Sequence, residues 1–97
     1  MTGDRVERLH VIVKGRVQGV GFRYFVVQTA GSFGLSGWVR NRFSGAVEVV
    51  AEGERSRLED LLAVLLRGPS SAFVKSADPR WEEAAGEFVG FKVRRTG

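Results

Sequence analysis

The chain has 97 residues, 43% of them hydrophobic, and carries 15 lysines and arginines against 11 aspartates and glutamates. This length suffices for one domain with a compact core but leaves no room for a second. The absence of cysteine excludes disulfides, thiolate metal sites and a cysteine nucleophile. The net charge of +4 predicts an anionic partner, and the excess of arginine over lysine suits phosphate oxygens.

No apolar stretch approaches the roughly 18 residues that a membrane-spanning helix needs. The polar start over residues 1–5 is unlike a secretory signal peptide. We therefore expect a single domain over residues 1–97, with residues 1–6 as a flexible tail. The chain is expected to be a cytoplasmic monomer that binds no membrane.

The first half of the chain changes its hydrophobic period at a glycine-rich segment. Leu9, Val11 and Val13 alternate with polar or opposite-facing residues, which predicts a strand with one buried face. A helical stripe follows from residue 22, and Gly34 stands where a left-handed C-terminal cap is expected. The stripe consists of Phe22, Phe25, Val26, Thr29, Ala30 and Phe33.

Two strands over residues 36–42 and 46–52 are predicted to form a hairpin through the turn at residues 43–45. The second strand alternates between two faces, with Val47, Val49 and Ala51 on one and Glu48, Val50 and Glu52 on the other. A second helix is predicted to begin at a capping box formed by Ser56 and Glu59 and to end at residues 67–69. Its apolar stripe is Leu58, Leu61, Leu62, Leu65 and Leu66.

Strands over residues 72–78 and near 88–94 complete the chain. Val89, Phe91 and Val93 are expected to share one face of the last strand. The order is β-α-β-β-α-β with a short extra C-terminal strand. It predicts a ferredoxin-like α+β sandwich, with two helices on one face of a mostly antiparallel sheet.

The segment GRVQGVGFR, residues 15–23, joins the first strand to the first helix. Unpaired amides at a helix N-terminus favour an anion, and glycines allow successive amides to converge on it. Arg23 in the first helical turn can place its planar guanidinium over the same concavity. Tyr24 stands where a dinucleotide fingerprint needs its third glycine, and the Walker A Gly-Lys-Ser/Thr is missing. From the residues alone, a tight turn with a solvated Arg23 remains the alternative.

A second segment, Gly37-Trp38-Val39-Arg40-Asn41, ends the strand before the hairpin. Together the two segments resemble the signatures of the acylphosphatase family, a G-x-V-Q-G-V-G-F-R loop followed by G-W-V-x-N. The run over residues 47–53 and the Gly-Pro pair at residues 68–69 are also similar to that family. The resemblance covers residues 9–69 closely and the rest of the chain loosely.

The resemblance implies hydrolysis of the carboxyl–phosphate anhydride of acyl phosphates to carboxylate and inorganic phosphate, by in-line attack of water. It also implies no metal, no cofactor and no covalent intermediate. Arg23 would clamp the phosphate, and Asn41 would position the water as the second catalytic residue. The amides that would hold the phosphate oxygens belong to Arg16, Val17, Gln18, Gly19, Val20 and Gly21.

Such chemistry is physically reasonable, because an acyl phosphate has a good leaving group and needs mainly charge stabilisation and a positioned nucleophile. Asn41 can orient water but cannot deprotonate it, so a phosphate oxygen of the substrate is the hypothetical proton acceptor.

The alternatives to hydrolysis are a non-catalytic binding module and an RNA-recognition module. A non-catalytic module of this fold could bind a phosphorylated metabolite through the same loop and arginine. An RNA-recognition module has the same fold, but its octapeptide matches residues 18–25 at only four of seven specified positions and belongs on a central strand. Here those residues span a loop and a helix, so no nucleic-acid partner is expected.

The remaining polar residues invite structural interpretations. His10 is expected on the polar face of its strand, and Trp38 is expected to pack on the face opposite Asn41. The pair at residues 82–83 is expected in a solvated turn. Arg40 and Arg42 either extend the positive field around the site or are simple surface charges.

Overall fold

The computed structural model describes residues 5–97, so most of the predicted N-terminal tail lies outside the described residues, and regular structure begins at Val6. The elements are β1 (Val6–Arg16), α1 (Phe22–Ser32), β2 (Ser36–Asn41), β3 (Val47–Glu54), α2 (Arg55–Arg67), β4 (Phe73–Glu83) and β5 (Phe91–Val93). This order confirms the predicted β-α-β-β-α-β arrangement with a short extra strand.

The strands form one five-stranded sheet in the order β4-β1-β3-β2-β5. The β1–β3, β1–β4 and β2–β3 pairs are antiparallel, and β5 joins the edge of the sheet parallel to β2. The predicted ferredoxin-like α+β fold is therefore confirmed.

The core lies between the sheet and the two helices. β1 and β3 direct the residues of their predicted apolar faces into the core, and α1 and α2 each contribute part of their predicted apolar stripe. Its fully covered members include Leu9, Val11 and Val13 of β1, Val47, Val49 and Ala51 of β3, Phe22, Val26 and Ala30 of α1, and Leu58, Leu61 and Leu65 of α2. Leu66 is 52% exposed, so its assignment to the buried stripe is wrong.

The start of α2 differs from the prediction. The helix begins at Arg55 with Glu54 as its N-cap, and no side chain caps it. Ser56 is therefore already inside the first turn, and Glu59 accepts a hydrogen bond from Arg55 Nε at 3.0 Å. The ladder between β1 and β3 holds the chain extended as far as Glu54, which pairs with Val6, so the helix follows the strand without a loop.

The C-terminal strands also differ in extent. β4 continues to Glu83 because it is an edge strand, where the missing amide of Pro79 removes no hydrogen bond from the interior of the sheet. The acidic pair at residues 82–83 therefore lies in a strand, not in a turn. β5 is shorter than predicted, and Val89 is 81% exposed outside it, whereas Phe91 packs against the core.

The sheet face opposite the helices buries a charged residue near its middle. Glu52 of β3 accepts hydrogen bonds from Arg8 Nε at 2.7 Å and from the amides of Ala85 and Gly86 at 2.8 and 3.0 Å. Burial raises the pKa of Glu52, but these donors outweigh it and hold the pKa below its ordinary value of 4.5. The segment that follows β4 is thus anchored over this face.

Candidate active site

The first glycine of the loop has a role in the sheet. At Gly15 the register between β1 and β4 shifts, and its φ of 131° suits glycine. A Cβ atom at this position would lie 2.2 Å from the carbonyl oxygen of Phe73 on β4. Gly15 therefore allows two strands to approach each other, which the sequence pattern did not distinguish from a role in anion binding.

The other two glycines turn the chain into α1. Gly19 and Gly21 have φ angles of 73° and 75°, in the left-handed region that favours glycine. Gly21 is the N-cap of α1, which has neither a side-chain cap nor an acidic residue in its first turn. The amides of Gly19 and Gly21 donate no hydrogen bond within residues 5–97. The positive end of α1 is thus left open for an anion.

A cavity of about 410 Å³ lies at this helix end. Its lining residues are Val17, Gly19, Gly21, Phe22, Arg23, Tyr24, Val27, Asn41 and Val93. Five of the residues singled out from the sequence are among them, namely Val17, Gly19, Gly21, Arg23 and Asn41. The cavity therefore brings the glycine loop and the end of β2 together, although they are distant in the sequence.

The other three loop residues are engaged elsewhere. Arg16 is the last residue of β1 and is exposed. Gln18 Nε2 donates hydrogen bonds to the carbonyl oxygens of Arg42 and Ala46, at 2.7 and 2.9 Å. The Val20 carbonyl accepts a hydrogen bond from Ser71 Oγ at 2.8 Å. The side chain of Gln18 therefore ties the loop to the β2–β3 turn, and a role of these three amides in phosphate binding stays a prediction.

Arg23 is the cation that faces the cavity. It is half-buried in the first turn of α1 and makes no ion pair or hydrogen bond with the residues that the structure describes. A positive side chain is unfavourable at the positive end of a helix unless an anion compensates both. Arg23 and the open end of α1 therefore give this part of the cavity a positive character that suits an anion.

Asn41 lies at the end of β2, on the side of the sheet that faces the helices. Its Oδ1 atom is buried and accepts no hydrogen bond from any described residue. Nearly all buried polar atoms in proteins are paired with protein or water. An acceptor of this kind in a cavity wall is suited to a water molecule or to a polar group of a ligand.

The neighbours of Asn41 point to the other face of the sheet. Arg40 Nε and Arg42 NH1 lie 2.7 and 3.0 Å from Glu48 Oε1, and His10 Nε2 lies 2.6 Å from Glu48 Oε2. Burial alone would raise the pKa of Glu48, but the hydrogen bonds and charges of these partners lower it by more, so that the pKa lies below its ordinary value of 4.5. Neither arginine lines the cavity, and both pair with Glu48, so a contribution of these arginines to the positive field of the cavity stays a prediction.

The two phenylalanines near the loop are not arranged to stack on bases. Phe22 is 1% exposed, and Phe25 packs edge-on against it with ring centroids 5.9 Å apart. Phe22 belongs to the core and Phe25 is partly buried beside it on α1, whereas RNA-recognition modules expose such rings on strands. Trp38 is 9% exposed on the opposite sheet face and contacts Arg40 and Arg94, as expected for packing.

Residues 5–97 contain no group of three or more histidines, aspartates and glutamates that could hold a metal ion. Neither helix in this part of the chain is long and apolar enough to cross a membrane.

Three further wall residues were missed by the sequence analysis. Tyr24 and Val27 are one turn apart on α1 and directly follow the loop, so their spacing could have identified them as wall residues. Val93 had no such signal, because only the parallel pairing of β5 with β2 brings it to the cavity.

Comparison with known proteins agrees with this geometry. The acylphosphatase family model matches residues 9–93. The chain is 48% identical over 87 residues to an acylphosphatase of Moorella thermoacetica, which covers 90% of this chain and 92% of that protein. The crystal structure of acylphosphatase from Bacillus subtilis superimposes with a TM-score of 0.87 at 34% identity, covering 93% of this chain and 99% of that one. An acylphosphatase structure from Coxiella burnetii gives 0.84 at 40% identity, covering 97% and 100%. The chain therefore belongs to the acylphosphatase family and is an enzyme of that class.

Proposed function

We propose that this cavity binds the phosphoryl group of an acyl phosphate and directs a water molecule at its phosphorus atom. One observation carries the proposal: the guanidinium of Arg23 and the buried Oδ1 of Asn41 are both without partners among the described residues, and both residues line the cavity at the open end of α1. The first group suits a phosphate, and the second suits a water molecule beside it.

The phosphate is held by the loop and by Arg23. Amides of residues 16–21 donate to the phosphate oxygens, with Gly19 and Gly21 providing the unpaired donors that line the cavity. Arg23 adds two parallel donors and a permanent positive charge. These donors are aimed where negative charge is concentrated in the transition state, so they contribute to catalysis as well as binding.

Asn41 accepts a hydrogen bond from the attacking water and thereby orients its lone pair towards phosphorus. As the new P–O bond forms in line, the bond from phosphorus to the acyl oxygen breaks, and its electron pair leaves with the carboxylate. The water proton passes to a phosphate oxygen of the substrate, because Asn41 cannot take it. The products are the carboxylate and inorganic phosphate.

The lining residues suit a reaction without metal or covalent intermediate. They include no carboxylate or imidazole, the side chains that most often hold a divalent cation. Arg23 supplies the positive charge instead, and the groups proposed to face the phosphate carry no nucleophile.

The first test is hydrolysis of benzoyl phosphate by the wild-type protein in excess EDTA and in ¹⁸O-labelled water. We expect turnover, competitive inhibition by inorganic phosphate, and the label in phosphate. Label in benzoate would show attack on carbon and refute the in-line mechanism. A folded protein that binds phosphate without turnover would refute hydrolysis and support a binding module.

Two variants separate the proposed roles. Arg23→Ala should weaken phosphate binding and lower kcat about 10²–10³-fold, the usual cost of losing a preorganised donor. Asn41→Ala should lower kcat similarly but leave phosphate affinity nearly intact. Arg80→Ala and Gln28→Ala, at exposed positions that do not line the cavity, are the matched controls. Loss of phosphate binding in Asn41→Ala would show that Asn41 holds structure instead of water.

A further inference from the structure

The cavity extends beyond the proposed phosphate site. At about 410 Å³ it lies within the range of roughly 300–1,000 Å³ typical of small-molecule sites, which is far more than a phosphoryl group fills. Its remaining wall contains Tyr24 and Val27 from α1 and Val93 from β5. One end of the cavity is thus polar and cationic, and the adjoining part is apolar.

Two of these wall residues are large apolar groups left open to solvent. Tyr24 is 70% exposed and Val93 is 52% exposed, whereas Val27 is partly buried against the core. Val93 pairs with Val39 on β2, two residues before Asn41, so the apolar wall adjoins the proposed position of the water. A substrate group attached to the phosphate would enter this part of the cavity.

The charges of the cavity restrict what that group can be. Among the lining residues within positions 5–97, Arg23 is the sole charged one, and the bound phosphate already compensates its charge. A second anionic group on the substrate would therefore find no cation in the wall. An uncharged apolar group would instead cover exposed apolar surface.

We propose that Tyr24, Val27 and Val93 form an acyl subsite that selects acyl phosphates with an uncharged, apolar acyl group, aromatic groups above all. This inference rests on the proposed function, since it takes the phosphate to lie over the loop. Tyr24 supplies a ring face for the acyl group, Val27 extends this wall one turn along α1, and Val93 of β5 supplies further aliphatic surface.

The test compares kcat/KM for benzoyl phosphate, acetyl phosphate and succinyl monophosphate, which carries a second carboxylate. The ratio of benzoyl to acetyl in each variant is divided by the wild-type ratio, so that the intrinsic reactivities of the two substrates cancel. Tyr24→Ala should lower this ratio about 5-fold and Val93→Ala about 3-fold, because the cleft is open and the contacts are partial. Tyr24→Phe keeps the ring and should keep the ratio.

Val89→Ala is the control for Val93→Ala, since Val89 is 81% exposed and does not line the cavity. It should leave the ratio unchanged. Equal losses for benzoyl and acetyl phosphate in the Tyr24→Ala and Val93→Ala variants would overturn the subsite while leaving the hydrolysis mechanism intact. A wild-type preference for succinyl monophosphate over benzoyl phosphate would also overturn it.

Binding measurements keep the inference testable if turnover fails. Dissociation constants of benzylphosphonate and methylphosphonate can be measured by calorimetry on the wild type and on Tyr24→Ala. We expect benzylphosphonate to bind about 10-fold more tightly to the wild type, with most of that difference lost in the variant. Equal affinities for the wild type would refute the subsite, whereas absence of turnover alone would refute only the proposed reaction.

Discussion

Replacing Glu48 by glutamine tests whether its buried charge, on the sheet face opposite the helices, stabilises the fold. The side chain of Glu48 is 8% exposed and contacts Arg40, Arg42 and His10 at 2.6–3.0 Å. These partners come from β1, from β2 and from the turn after it, so one carboxylate connects three parts of the sheet. Glutamine preserves the shape and one acceptor oxygen but removes the negative charge.

The expected loss of stability follows from the exposure of each partner. Removing one member of a fully buried ion pair costs about 3–5 kcal/mol, because the remaining charge is left without compensation. Here the side chains of the three partners are between 26% and 38% exposed, so water recovers part of that cost. We therefore expect Glu48→Gln to lower the free energy of unfolding by about 2–3 kcal/mol and Tm by roughly 10–20 °C.

Urea denaturation at pH 7 measures this difference, since a domain of this size should unfold in two states with an unchanged m-value. Glu59→Gln is the matched control: Glu59 pairs with Arg55 at 3.0 Å but is 57% exposed. This surface pair should contribute little to stability, because solvent screens exposed charges. If Glu48→Gln cost no more than Glu59→Gln, the stabilising role assigned to the buried carboxylate would be wrong.

Three other variants and one change of pH address the backbone, the loop and acid stability. Gly15→Ala should lower the free energy of unfolding by about 3 kcal/mol or more, because its φ is 131° and the new Cβ atom would overlap a carbonyl group of β4. Gly31→Ala should raise the free energy of unfolding by about 0.5–1 kcal/mol, because the new methyl group lies in open space on α1. Thermal melts compare the two variants. Gln18→Ala removes both hydrogen bonds from the loop to the β2–β3 turn and should raise KM several-fold. An unchanged KM for benzoyl phosphate in steady-state kinetics would show that these bonds do not hold the loop in its binding conformation. The folded-state pKa values of Glu48 and Glu52 lie below 4.5, so these carboxylates bind protons more readily in the unfolded chain than in the folded one. The stability that they contribute at neutral pH should therefore be lost as the pH falls below about 4.5. Urea midpoints measured between pH 7 and pH 3 would refute this if they did not move towards lower urea concentration.

Local patterns in the sequence were sufficient for most of the architecture. The period of two predicted the faces of β1 and β3, and Gly34, with a φ of 70°, follows α1 as expected of a left-handed cap. Patterns of this kind depend on residues within about one turn or one hairpin of each other, so the surrounding structure rarely overrides them.

Errors arose where a distant strand decides the local structure. Ser56 and Glu59 have the spacing of a capping box, but pairing with β1 keeps the chain extended until the helix begins. Pro79 reads as the end of a strand, yet it is tolerated because β4 is at the edge of the sheet. Alternation likewise placed Glu48 on the polar face without indicating that its partners would bury it.

The sequence alone determined the glycine loop at the start of α1 and the arginine in its first turn, because turn, helix start and charge lie within nine consecutive residues. Tertiary structure decided what lies opposite them. Asn41 reaches the cavity only because β2 pairs with β3 next to α1, and Val93 reaches it only because β5 adds to the edge of β2. These contacts join residues far apart in the chain and depend on how the sheet assembles, which no local period specifies.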